Sequence, residues 1–173
     1  MKSLPILFAL FLSPLWPLVV TPAENTPVVI VNKQVNQLAY INNGEIVEIY
    51  DVATGATEEM TPNGLHTIIV KAIEPYYRKK NIPGGSPDNP LGSRWIGFDA
   101  NGTDGRIFGI HGTNKPESIG TYTSAGCVRM KNEQVEALFE KVPIGTKVYI
   151  TRSDKGFDVI LQEMKEKLQT GEI

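Results

Sequence analysis

The sequence predicts a mainly β domain with two helices late in the chain. Short runs of β-branched and aromatic residues, bounded by Asn, Gly and Pro, recur between residues 28 and 110, the pattern of strands joined by turns. Two segments after residue 131 place their apolar residues at helical intervals instead. The 173 residues have room for one ordinary core and no second catalytic domain.

The chain opens with Met1-Lys2-Ser3, a mostly apolar stretch over 4–20, and Thr21-Pro22-Ala23-Glu24. A basic tip, an apolar run and small residues before a polar start is the order of an export signal, with cleavage expected after Ala23. The competing expectation is an uncleaved membrane anchor through residues 4–20. Pro5, Pro14 and Pro17 count against it, because they interrupt a run already short for a bilayer.

Val28-Val29-Ile30-Val31, Gln37-Leu38-Ala39-Tyr40-Ile41 and Ile46-Val47-Glu48-Ile49-Tyr50 read as three strands, the last two joined by a hairpin at Asn42-Asn43-Gly44. Residues 65–73 form a longer strand candidate that stops at Glu74-Pro75. Residues 76–93 contain Pro83-Gly84-Gly85-Ser86-Pro87-Asp88-Asn89-Pro90, which sustains neither a helix nor a central strand. A long loop follows from that composition, and long loops on compact domains often carry function. Residues 94–98 and 106–110 read as two further strands around Asn101-Gly102, which sets His111 at a strand end. Asn132 is placed to cap a helix with Val135, Leu138, Phe139 and Val142 on one face, ended by Pro143-Ile144-Gly145. Lys147-Val148-Tyr149-Ile150 returns as a strand. From Asp154 onward, Phe157, Ile160, Leu161, Met164 and Leu168 mark an amphipathic helix expected to lie on the domain's own core.

Charge and composition remove several classes of function. Net charge is −2, with lysines and arginines scattered along the chain, so the electrostatic footprint of a nucleic-acid binder is missing. Two histidines and one cysteine, none at finger-like spacing, support no metal site, and no phosphate-binding glycine loop is present. No cofactor is expected. A single cysteine in an exported chain builds no internal disulfide, which leaves its retention to be explained by chemistry.

That cysteine stands in Ser124-Ala125-Gly126-Cys127-Val128-Arg129, sixteen residues after His111 of Ile110-His111-Gly112-Thr113. A thiolate is the nucleophilic form of cysteine, and an imidazole and a guanidinium are the groups expected to generate and hold it at neutral pH. A strand end carrying His111 and a helix start following Cys127 would bring base and nucleophile to one sheet edge. Gly126 permits close backbone approach, and the amides of Ala125, Gly126 and Cys127 are candidate donors to an oxyanion. Arg129 is placed to bind a substrate carboxylate or to support the loop. The Gly112 carbonyl is the simplest acceptor for the second imidazole N–H. Glu117, the one acid between residues 110 and 129, is assigned no role, and His66 on its strand is expected to be structural.

With Ser118-Ile119-Gly120 between them and Val142-Pro143-Ile144-Gly145-Thr146-Lys147-Val148 after them, these motifs resemble the L,D-transpeptidase catalytic domain. Thr61-Pro62-Asn63-Gly64 and Asn89-Pro90-Leu91-Gly92 resemble its earlier signatures. The resemblance implies packed mixed β-sheets with a helix after the cysteine and another at the C-terminus. The resemblance covers roughly Val28 to Ile150, and with the readings above the chain is expected to divide into a signal peptide or membrane anchor (1–23), a catalytic domain (26–151) and a C-terminal amphipathic helix (152–173). The resemblance further implies export to the cell wall or periplasm and action on peptidoglycan stem peptides. Cys127 would attack the bond between the third-position diamino acid and D-alanine, and a second stem's amine would take the acyl group from the thioester. His111 would act as base and acid and Gly112 as orienting carbonyl, with Ser124, Gly126 and Arg129 lining the site. Carbapenem-type β-lactams are the implied inhibitors. Many members carry a second histidine where this chain has Ala125, so the substrate-binding part implied for Ala125 rests on its backbone. Two alternatives stay open at this point: an L,D-carboxypeptidase acting on the same stems, and a silent wall-binding protein.

Overall fold

In the computed structural model, residues 26–173 are described; the predicted leader, 1–23, lies outside them. Ten strands and two helices make up the body: β1 (Val28–Asn32), β2 (Gln37–Asn42), β3 (Glu45–Asp51), β4 (Thr54–Gly55), β5 (Gly64–Ile73), β6 (Arg94–Phe98), β7 (Phe108–His111), β8 (Tyr122–Ser124), β9 (Val128–Arg129), α1 (Asn132–Lys141), β10 (Lys147–Thr151) and α2 (Phe157–Thr170). Eight strands form one mixed sheet in the order β3-β2-β1-β10-β5-β6-β7-β9, and β4 pairs with β8 in a small ribbon. Two pairings in the large sheet are parallel, β1 with β10 and β7 with β9. The others are antiparallel.

Side-chain alternation explains why the first strands read as unbroken apolar runs. Val29 and Val31 of β1, Leu38 and Tyr40 of β2, and Val148 and Ile150 of β10 enter the main core with Ile96, Phe98, Ile110 and the α1 residues Val135, Leu138 and Phe139. Their neighbours Ile30, Ala39, Ile41 and Tyr149 face the other way, onto Phe157, Ile160, Leu161 and Met164 of α2. A strand covered on both faces needs apolar residues at every position. Burying each of those α2 side chains stabilises the fold by roughly 2 kcal/mol, and this holds the C-terminal helix on its own domain. Among the described residues, no helix is long and apolar enough to cross a membrane.

The strands predicted from β-branched runs are present with small shifts of boundary: the one placed at 106–110 runs from Phe108 to His111. Three features differ from the sequence reading. The short strands β4, β8 and β9 lack an apolar run and were not anticipated. Cys127 leads into β9 rather than directly into a helix. The residue at the N-cap of α1 is Lys131, without a side-chain cap, while Asn132 opens the helix and uses its side chain elsewhere.

Candidate active site

The parallel pairing of β9 with β7 builds the site. Ile110 faces Val128 and His111 faces Arg129, so the register carried back one residue sets Cys127 beside Gly109. Partners in register share a face of the sheet, and Cys127 therefore projects on the same side as His111, on the neighbouring strand. Two residues of offset across one strand spacing separate their Cα atoms by about 8 Å. The half-buried thiol donates to the Ile107 carbonyl at 3.4 Å.

His111 is buried and fixed on two sides. Its Nδ1 lies 2.6 Å from the Gly112 carbonyl. A carbonyl only accepts, so Nδ1 carries the proton and Nε2 keeps its lone pair. The ring stacks on Trp95, centroids 5.5 Å apart at 18°, and the indole N–H is itself anchored on the Gly105 carbonyl at 2.8 Å. Trp95 gave no functional signal in the sequence beyond its place in a strand.

The electrostatics differ from the expected ion pair. Burial lowers His111 from 6.5 to about 4, Arg129 adds to the depression, and the carbonyls of Gly112 and Leu91 oppose it. Burial also pushes the Cys127 thiol above its ordinary value, against the backbone of Gly109 and the charges of Arg129 and Lys79. Both shifts favour the neutral thiol and the neutral imidazole over a thiolate and an imidazolium. Desolvation penalises both charged forms and so works against the standing thiolate expected from His111 and Arg129.

The nucleophile loop is held from behind. Ser124 is buried, its Oγ donating to the Cys127 carbonyl at 2.6 Å and accepting the Gly126 amide at 3.0 Å. Gly126 thus spends its N–H inside the loop, which removes it from the expected set of oxyanion donors. Gly126 has φ +128°, and a Cβ there would lie 2.5 Å from the Met60 carbonyl. Thr61 Oγ1, fully buried, accepts from the Gly55 amide at 2.8 Å and donates to the Gly126 carbonyl at 3.0 Å. That is the structural work of the Thr-Pro-Asn-Gly motif. Ala125 is exposed. Arg129 exchanges backbone hydrogen bonds with Ala53, and its guanidinium forms no ion pair among the described residues.

The 76–93 loop is fastened to the same site. Asn89, buried, donates to the Pro75 carbonyl at 2.8 Å and accepts the Leu91 amide at 2.9 Å, which turns the Leu91 carbonyl toward His111. Asn132 Oδ1 accepts the amides of Ser93 at 3.3 Å and Thr113 at 3.2 Å. A Cβ on Gly112 would fall 2.1 Å from that oxygen, so the glycine lets one side chain join the loop, the His111–Gly112 peptide and α1. His66 stands apart from Cys127, stacked on Phe98 at 5.4 Å and 3.3 Å from the Pro62 carbonyl. Among the described residues no three His, Cys, Asp or Glu side chains gather as metal ligands.

A thiol and an oriented imidazole on adjoining strands of this sheet define a cysteine acyl-transfer enzyme. The profile of the L,D-transpeptidase catalytic domain, YkuD, matches residues 26–150. The chain is 53% identical over 164 residues to YqjB of Bacillus subtilis, named as an L,D-transpeptidase, covering 95% of this chain and 93% of that protein. With YkuD of Bacillus subtilis, also so named, identity is 38% over 110 residues, covering 64% of this chain and 57% of that one. Among solved structures, L,D-transpeptidase 3 from Mycobacterium tuberculosis in complex with a faropenem-derived adduct superposes with TM-score 0.58 at 17% identity, over 73% of this chain and 60% of that chain. That likeness is one of fold. The chain belongs to the L,D-transpeptidase catalytic-domain family.

Proposed function

We propose that this enzyme forms 3→3 cross-links in peptidoglycan through a thioester on Cys127. The observation that carries the reading is the β7–β9 register, which sets Cys127 and His111 on one face of adjacent strands. In the first half-reaction Sγ attacks the carbonyl carbon of the third-position diamino acid while His111 Nε2 takes the thiol proton. Because both groups are neutral at rest, proton transfer accompanies attack. The oxyanion meets the amides of Ala125 and Cys127, each such donor contributing roughly 3 kcal/mol to the transition state. His111 then returns its proton to the departing D-alanine amine as the C–N bond breaks, leaving the thioester.

In the second half-reaction a side-chain amine of another stem attacks the thioester carbonyl. It gives up a proton through His111, and Cys127 leaves as the thiol. The Gly112 carbonyl holds the imidazole in the required tautomer, Ser124 shapes the loop, and the Arg129 guanidinium, without an ion pair among the described residues, is suited to a substrate carboxylate. Action on stem peptides calls for an enzyme outside the cytoplasmic membrane, a reading supported by the order of residues 1–24. Acylation of Cys127 by carbapenem-type β-lactams belongs to the same reading, supported by the adduct named for the mycobacterial structure.

The test is mass spectrometry of products from a disaccharide tetrapeptide containing diaminopimelate, with Cys127→Ala as control. The expected product is a dimer lighter than two substrates by one D-alanine, absent from the control. Tripeptide without dimer would make the enzyme an L,D-carboxypeptidase. Unchanged substrate with a folded protein would favour a wall binder.

A further inference from the structure

A cavity of about 200 Å³ lies beside the segment that backs the nucleophile loop, with Lys33, Gly55, Thr57, Glu58, Tyr122 and Arg152 among its lining. Lys33 is only 3% exposed, unusual for an ammonium. Its Nζ donates to the carbonyls of Glu58 and Thr61, both at 2.7 Å. An ammonium has three N–H donors, so one remains beyond those two neutral acceptors. Arg152 is exposed and, like Lys33, forms no ion pair among the described residues. Burial lowers Lys33 below the usual lysine range, Glu58 and Glu59 oppose this, and the charge of Arg152 adds to it. Two cations thus line one cavity, neither in an ion pair among the described residues, although Glu58, which lines it too, acts on Lys33 more strongly than Arg152 does.

We propose that this cavity binds a carboxylate or phosphate group between the Lys33 ammonium and the Arg152 guanidinium. The guanidinium supplies a planar fork for two oxygens, and the ammonium a partly desolvated point charge whose attraction is screened less than at an open surface. The anion takes up the Lys33 N–H left beyond the two carbonyls and the free fork of Arg152. It also connects to the catalytic loop, because Lys33 holds the Thr61 carbonyl and Thr61 Oγ1 holds the carbonyl of Gly126. The site is separate from Cys127, and its occupancy is read without any acyl transfer.

The experiment titrates the full ¹⁵N-labelled chain with inorganic phosphate and, separately, with acetate at constant ionic strength, following backbone amides by NMR. Saturable shifts centred on Thr57, Glu58 and Tyr122, with the midpoint below about 100 mM and raised about tenfold in Arg152→Gln, are expected. Shifts that grow linearly without saturation, or a midpoint unchanged in Arg152→Gln, would overturn the proposal. Arg152 is chosen because it is exposed, so the variant keeps the fold, whereas Lys33 is part of the buried scaffold. The tighter of the two anions distinguishes a phosphate ligand from a carboxylate one.

Discussion

Replacing His111 with Gln should flatten the acid limb of the stability profile. The imidazole is held neutral in the folded chain, with its value lowered from 6.5 to about 4 by burial. Between those two pH values the unfolded chain binds a proton that the folded chain refuses, so stability rises with pH across the window and falls as pH drops through it. The contribution is fully present above 6.5 and is lost by about pH 4. At roughly 1.4 kcal/mol for each pH unit, the window is worth about 3 kcal/mol, or roughly 10 °C of melting temperature for a domain of this size. Gln offers an amide N–H to the Gly112 carbonyl but does not titrate. Urea denaturation of both proteins from pH 7.5 to pH 4 checks this by the difference in slope, which cancels the carboxylates common to both. Wild type should lose about 3 kcal/mol more than His111→Gln over the window. Parallel profiles would refute the claim that burial keeps the imidazole neutral.

The raised Cys127 thiol predicts slow alkylation by iodoacetamide at pH 7.5, with a rate that climbs through and beyond the ordinary thiol range; a plateau already reached at neutral pH would contradict it. Gly126→Ala forces a methyl against the Met60 carbonyl at a left-handed φ and should cost about 2–3 kcal/mol in urea denaturation, with normal stability as the contrary result. Asn132→Leu leaves the Ser93 and Thr113 amides without their acceptor and should cost about 2 kcal/mol while lowering turnover. Asn132→Asp keeps the acceptor oxygen and should recover most of the stability, whereas equal loss in both variants would deny the acceptor role.

Most strands and both helices were legible because they bury continuous or periodic apolar faces; β3 was legible from its β-branched run alone, since Ile46, Val47 and Ile49 are exposed. Val28 to Val31 reads as a strand, and the structure covers both its faces, while α2 shows its contact face in Phe157, Ile160, Leu161 and Met164. The short pairings β4, β8 and β9 were not legible, since they are held by backbone hydrogen bonds to partners distant in sequence and carry no pattern of their own. At the site, Cys127, His111 and Ser124 stand out as residue types. Their charge states do not, because desolvation depends on what packs around them: Trp95 under the imidazole and the Leu91 segment beside it. Asn132 illustrates the limit. A helix-start asparagine is expected to cap its own helix, but here the close approach of Gly112 gives its oxygen two amides from other segments instead.

The most direct measurement is peptide-level mass spectrometry of the enzyme quenched in acid during turnover of the tetrapeptide donor. The account predicts a tripeptide acyl group on the peptide containing Cys127, formed with release of free D-alanine and absent in Cys127→Ala. An acyl group on any other residue, or D-alanine released at an undiminished rate by Cys127→Ala, would contradict it.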